Sequence, residues 1–489
     1  MTLDFLDDTQ VEYEDAIKQT GFGKFHYCLL AVCGMIYLNT AIGITILSFV
    51  LPSATCDFQM TSADKGWLTA TPMLGMVLGS YFWGCLADTK GEVDHKGFML
   101  TNFKLYTHTI LGRKYVLISA LLLDGVCGVL SSCAQHYSVF LCIRFFNGFG
   151  VTGAMGICFP YLGEFQPTKY REKILCWMEI FWTLGIIALP VIAWVIIPQT
   201  IGVNFQYFRF HSWNLFVAIC AVPSLIIGLW LFAFPESPKF LIEVGETEEA
   251  LKVLRHIFHH NTGRPEAEYP IKALKEKERE KALVDAPSLR SLSMKKPKHL
   301  QILLKEIWEQ TKTLCREPYL NRTILTCAIQ FGLTASYYTL MMWFPELFYR
   351  FEAYEQVHAG EPASLCDVSS ITLGNGTSAG FCGDPIDSTV YWHTVIIGIA
   401  CIPTSLILPA CIHRLGAKFF IIFSLFIAGG VTIGLYFVTS SLGNLFLSCV
   451  FEASTSLGIS TIYCVMVDLF PTNLRVMAAA LSLISRDML

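Results

Sequence analysis

Apolar residues run along this chain in continuous blocks separated by short polar stretches. The blocks cover residues 25–50, 67–86, 115–134, 138–162, 174–197 and 213–234. They resume at 323–348, 391–411, 418–437 and 444–467, and an eleventh begins near 476. About 20 residues of helix at 1.5 Å each cross the hydrocarbon core of a bilayer. The blocks are continuous rather than alternating, so they predict membrane helices and not barrel strands. The predicted fold class is an all-α membrane protein.

The pattern repeats at long range. Glu164-Phe-Gln-Pro-Thr-Lys-Tyr-Arg171 returns as Asp468-Leu-Phe-Pro-Thr-Asn-Leu-Arg475, 304 positions later. Leu111-Gly-Arg-Lys114 and Leu415-Gly-Ala-Lys418 keep the same offset. Two motif pairs at one spacing predict a duplicated half, as in many transporters. Two pseudo-symmetric helix bundles follow, at 25–234 and 321–489. A cytosolic tail (1–24) precedes them and a charged linker (235–320) joins them. With the chain ending at Leu489, the second bundle is expected to be truncated, with about ten complete spans in all. The tail carries no signal-peptide pattern.

Composition agrees: 489 residues are 53% hydrophobic and only 15% charged. The net charge of -4 says little; its placement says more. With the N-terminus in the cytosol, Lys65, Arg209 and Arg350 fall outside and Arg144 lies within a span. Every other one of the 35 Lys and Arg is then cytosolic, as the positive-inside rule requires. Most of the 18 cysteines lie in spans and read as small core residues. In the outer loop 350–390, Asn375-Gly-Thr377 is a glycosylation sequon, and Cys366 and Cys382 are a candidate disulfide pair. Asn321 starts a second sequon on the cytosolic side, where it should stay unmodified. The linker's KALKEKEREKAL and MKKPKHL predict helices at the cytosolic membrane face, solvated or in contact with lipid.

After the second block, Gly84-Cys-Leu-Ala-Asp88 is separated from Leu111-Gly112-Arg113-Lys114 by 90–110. Without those residues the text reads GCLADTLGRKYVL. It resembles the loop signature of the major facilitator superfamily, Gly-x-x-x-Asp-x-x-Gly-Arg-Lys. A carboxylate at one helix end and guanidinium groups on its neighbours make a latch that a rocking bundle can open. Pro235-Glu-Ser-Pro-Lys239, FVLPSA at 49–54, Trp343-Phe-Pro345 and DLFPTNLR are similar to the synaptic vesicle glycoprotein 2 family and the organic-ion branch. The resemblance implies a conformational gate of Asp88, Gly112, Arg113, Lys114, Arg144, Glu164, Arg171, Asp468 and Arg475. It also exposes departures. The family's first-span Asp and Glu fall on Thr40 and Gly43, the outer loop is short, and His413 stands where the second gate Asp would be. Residues 90–110 look like an insert from a retained intron or gene-model error. With the truncated end, the chain as written is expected to be poorly expressed or inactive. A version lacking the insert, with two full C-terminal spans, should do better.

A charge within a span costs at least ~2.5 kcal/mol and so points to function. Glu179 is a candidate substrate or proton carboxylate, or else a partner for Arg144. Glu452 is a similar case, and Asp124 is expected to pack against a neighbouring helix. Thr40, Trp182, Tyr337, Tyr338 and Trp343 are further cavity candidates, the aromatic ones for an organic cation. No metal cluster, phosphate loop or nucleophile–base set is evident, so neither an enzyme nor a cofactor is expected. The expected function is secondary transport of a small organic solute by alternating access, with or without a coupling ion. The alternative is a transporter-like vesicle protein that binds a ligand or partner without moving it. A monomer in the lipid bilayer of a vesicle or the plasma membrane is expected, with no nucleic-acid partner.

Overall fold

The computed structural model describes residues 10–88, 112–199, 201–204, 209–275, 308, 311–357, 388–438 and 440–469. The expected insert 90–110, Cys366, Asn375, Cys382 and Arg475 lie outside the described residues, as do the side chains of Asp88, His413 and Asp468.

Seven long helices build the first half. They are α2 (Lys24–Thr45), α3 (Leu47–Phe58), α4 (Ser62–Asp88), α5 (Arg113–Ser132), α6 (Tyr137–Glu164), α7 (Thr168–Ile196) and α8 (Ser212–Trp230). The second half contains α11 (Leu320–Val357), α12 (Ser388–Ala400), α13 (Ile402–Leu415), α14 (Ala417–Phe437) and α15 (Ser441–Leu469). Nine helical stretches among the described residues are long and apolar enough to cross a membrane. Large apolar side chains face outward on these helices, Leu229 at 62% and Phe426 at 78% exposure. In a bilayer that surface meets lipid, where exposure of apolar groups is favourable.

The repeat seen in the sequence is a repeat of helices. Gly112 and Gly416 each stand immediately before a helix, α5 and α14. α6 and α15 begin at Tyr137 and Ser441, again 304 apart. Earlier in the chain, α4 starts at 62 and α12 at 388, an offset of 326. The change of 22 is within one residue of the length of 90–110.

In the first half α4 and α5 lie along α6, α5 packs on α8, and α2 packs on α7. The α6 glycines allow the close approach. A Cβ on Gly148 would collide with the Pro72 carbonyl of α4, and one on Gly150 would lie 2.7 Å from the Asp124 amide of α5. Small residues at helix crossings are how membrane helices gain van der Waals contact, since lipid removes the hydrophobic drive. In the second half α15 is central, touched by α11, α12, α13 and α14. The halves meet where α7 touches α12, α13 and α15, and where α3 touches α11.

The N-terminal segment is folded rather than a loose tail. β1 (Gln10–Val11) pairs in parallel with β4 (Ala273–Leu274). Ala16 and Ile17 of α1 (Tyr13–Gln19) pack with Leu251, Leu254 and Phe258 of α10 (Thr247–Thr262). α10 follows α9 (Pro238–Val244) across Gly245, whose φ of 96° suits glycine. A hairpin of β2 (Gly202–Asn204) and β3 (Arg209–His211) links α7 to α8.

Candidate functional site

Two places gather the polar side chains that the sequence singles out. The first lies at the helix ends that the charge count places in the cytosol. Arg113, the first residue of α5, pairs with Glu164, the last of α6, at 2.5 Å. The Ser237 hydroxyl donates to the other Glu164 oxygen at 2.5 Å. The Lys114 amide donates to Glu236 at 3.1 Å, and the Lys114 ammonium donates to the Phe232 carbonyl at 2.9 Å. The PESP motif therefore closes over the loop signature. Burial pushes the Glu236 carboxyl up from its ordinary value and the Lys239 ammonium down.

Arg171 belongs here too. Its Nε donates to the Gly163 carbonyl at 2.9 Å, and its Nη2 reaches Glu14 at 3.0 Å. Thr168 also donates to Glu14, and the Tyr13 hydroxyl donates to the Glu164 carbonyl. α1 thus packs over this cluster from outside the first bundle. Burial acts to raise the Glu14 carboxyl, but its bonds to Thr168 and Arg171 prevail and hold it below its ordinary value.

Arg144 does not join this cluster. It is 20 residues before Glu164 on α6, or about 30 Å along the helix axis. Its guanidinium donates to Asn147 at 3.2 Å and lies 5.1 Å from the Phe140 ring centre. Asn147 donates to Asp124 at 2.6 Å, and Ser224 and Asn39 complete the set around that carboxylate. The polar partner set of Arg144 is therefore within the first bundle, and Glu179 is not part of it. Asp124 packs against neighbouring helices as the sequence led one to expect.

The second place is a narrow cavity of about 10 Å³ between the bundles, with Tyr37, Met155, Glu179, Trp182, Tyr337, Tyr338, Ser456 and Ile459 as its walls. Glu179 and Trp182 are one turn apart on α7, so they share a face. Trp182 Nε1 donates to the Tyr337 hydroxyl at 3.2 Å, joining α7 to α11. The Tyr37 ring is 5.0 Å from that of Trp182, and Tyr338 meets Tyr337 edge-on at 5.0 Å. The Ser456 hydroxyl of α15 donates to Glu179 at 3.4 Å. Beside the cleft, the Thr183 and Ser405 hydroxyls meet across the bundle interface at 2.7 Å.

Glu179, Trp182, Tyr337 and Tyr338 are thus brought together. Glu452 lies behind Tyr337, buried completely. Trp343 instead packs beside the first-bundle core, outside the cleft wall. Thr40 donates to the Ile36 carbonyl of its own helix at 2.9 Å and is likewise outside it. Sequence reasoning missed Tyr37 and Ser456. Nothing marks them until α2 and α15 are placed against α7.

The ion-pair cluster, the repeat and the cavity sit on one helical scaffold, and comparison with known proteins gives the family. The Major Facilitator Superfamily model matches residues 33–487. The chain belongs to the Major Facilitator Superfamily. It is 31% identical to synaptic vesicle glycoprotein 2B of Mus musculus over 350 residues, 70% of this chain and 48% of that protein. It is 32% identical to synaptic vesicle glycoprotein 2C of Homo sapiens over 343 residues, 69% of this chain and 44% of that one. The chain therefore spans about half the length of the curated relatives it matches. Among solved structures it is similar to the E. coli xylose transporter XylE in a partially occluded inward-open conformation. The TM-score is 0.61 at 14% identity, covering 94% of this chain and 89% of that one. The multi-pass membrane architecture follows from the family and the apolar helices.

Proposed function

We propose that this superfamily member is a secondary carrier, moving a small organic cation by alternating access through the cleft between its bundles. The observation that carries the reading is the composition of the cleft. One carboxylate, Glu179, stands among the faces and edges of Tyr37, Trp182, Tyr337 and Tyr338. Aromatic rings attract cations by their quadrupole, at ~0.5–2 kcal/mol per ring depending on desolvation. A buried carboxylate supplies the opposite charge in a medium where Coulomb energy is large. Among the described residues no Lys, Arg or His stands in the walls to offer an anionic solute a positive charge. The walls come from both bundles, which rocking about a midplane site requires. Likeness to synaptic vesicle glycoproteins supports a vesicle membrane as the place.

The test is uptake of a fluorescent styrylpyridinium cation into vesicles bearing the chain. Saturable uptake that Glu179→Gln abolishes supports the reading. Saturable binding without uptake would favour a receptor-like protein, an alternative that the loss of the first-span carboxylates to Thr40 and Gly43 keeps open.

A further inference from the structure

α10 carries three histidines in its last two turns, His256, His259 and His260, on the side that the charge count places in the cytosol. His256 and His260 are four positions apart, so they share one helix face. Their ring centres are 4.1 Å apart. His260 Nδ1 donates to the His256 carbonyl at 3.1 Å, since a carbonyl can only accept. The Glu266 carboxylate lies 3.6 Å from His256 Nδ1 and favours the proton there. In each neutral ring the lone pair is then on Nε2, and neither Nε2 makes a hydrogen bond among the described residues. Both rings meet water: the His256 side chain is 45% exposed, and His260 is exposed as well. His259 differs, because its Nδ1 donates to the Arg264 carbonyl at 2.6 Å and its ring centre is 5.6 Å from that of His260. Lys252, one turn before His256, is paired with Glu249 at 2.7 Å.

We propose that His256 and His260 form a surface site for a divalent transition-metal ion such as Zn²⁺, held by their two Nε2 atoms with water completing the shell. Neutral imidazole is a good ligand for Zn²⁺, Cu²⁺ and Ni²⁺. An acceptor at the far nitrogen fixes the tautomer and raises the basicity of the ligating one, and each ring has such an acceptor. Two rings sharing a tetrahedral ion at about 2.1 Å from each Nε2 have centres ~5 Å apart. A small side-chain rotation opens the present 4.1 Å that far. No three His, Cys, Asp or Glu side chains form a metal group among the described residues. The site is therefore a two-ligand one, open to water, and not a closed structural centre. Its place on α10 gives it a consequence. Asn261 follows His260 directly, and its amide donates to the Thr20 and Gly21 carbonyls at 3.2 Å and 2.9 Å. Its oxygen accepts from the Phe25 amide at 3.1 Å. An ion across His256 and His260 braces the last turns of α10 and so holds the N-terminal segment at the start of α2. An ion that needs both rings on one helical face stabilises that docked form by mass action.

Zn²⁺ titration of the full chain in detergent, without a polyhistidine tag, tests the site. The double variant His256→Ala with His260→Ala is the blank for other thiols and imidazoles. The unmutated chain should bind one Zn²⁺ more than the blank. His256→Ala or His260→Ala alone should weaken that binding at least tenfold, and Glu266→Gln by about tenfold through its hold on His256. His259→Ala should leave it unchanged. His260→Cys keeps a ligand and should restore binding, which guards against misfolding. With Cu²⁺ in place of Zn²⁺, the electron paramagnetic resonance spectrum should show two equatorial nitrogen donors, and fewer in either single alanine variant. Zn²⁺ should also slow trypsin cleavage of the N-terminal segment several-fold in the unmutated chain and not in the blank. Equal Zn²⁺ binding by the unmutated chain and the blank overturns the proposal, as does a loss with His259→Ala as large as with His260→Ala. If Zn²⁺ binds as expected but cleavage is not slowed, the metal site stands and its hold on the N-terminal segment is refuted.

Discussion

The Lys65 ammonium lies 3.3 Å from the Glu346 carboxylate, joining α4 of the first bundle to α11 of the second. Both side chains are largely buried, 13% and 7% exposed. They stand at the ends of their spans that the charge count places outside the cytosol. Nearby, the Phe49 and Tyr391 rings stack across the same interface at 5.6 Å. Together these contacts close the outer ends of the bundles against each other.

If that pair holds the outer side shut, removing either charge should weaken the closure. Glu346→Gln or Lys65→Met should then favour the outward-open form by ~1–3 kcal/mol. Labelling of an introduced cysteine near Phe49 by a membrane-impermeant maleimide should rise several-fold. The swapped double variant, Lys65→Glu with Glu346→Lys, should restore protection. Equal labelling in all four proteins would show that the pair does not gate.

The α1 contact predicts a pH dependence. Glu14 has a lowered carboxyl value in the folded protein, so its contacts stabilise the fold fully above the ordinary value of 4.5. That contribution is lost as pH falls through the lower folded value. Glu14→Gln should remove it at neutral pH. Limited proteolysis should then cut the N-terminal segment faster at neutral pH in the variant. The unmutated chain should approach that rate only in acid.

Helix packing gives a contrast within one helix. Gly148→Ala puts a Cβ into the Pro72 carbonyl, while Gly156→Ala has nothing within 4 Å. The first should destabilise by ~1–3 kcal/mol as overpacking does, and the second should be close to neutral. Thermal unfolding in detergent compares them; equal melting temperatures would contradict the packing described here.

The fold was legible because a bilayer imposes one rule: about 20 apolar residues per crossing. The 304-residue offset was legible for a similar reason, since duplicated halves keep helix starts such as Gly112 and Gly416 in register. Arg113, Glu164 and Arg171 were readable as a group because their motifs sit at adjoining helix ends. What stayed hidden depends on which helix faces which. Lys65 and Glu346 are 281 positions apart, and neither has a local signal. Arg144 was drawn to the gate by family likeness, but helix rise alone separates it from Glu164. Trp343 and Tyr337 are six positions apart on α11, about 120° around the helix, so they face different ways, and packing tells that Tyr337 is the one that lines the cavity. The α1 contact at Tyr13 and Glu14 lacked a signal because a two-residue strand and a seven-residue helix are too short to show a period.

The central claim is that Glu179 and its aromatic neighbours bind a cation that the bundles then carry across. It is tested most directly by initial uptake of the fluorescent styrylpyridinium cation into proteoliposomes holding the unmutated chain, Glu179→Gln or Trp182→Leu. The account predicts saturable uptake by the unmutated chain, at least a tenfold loss with Glu179→Gln, and a smaller loss with Trp182→Leu through weaker binding. Uptake by Glu179→Gln equal to that of the unmutated chain, at matched protein in the vesicles, would contradict it.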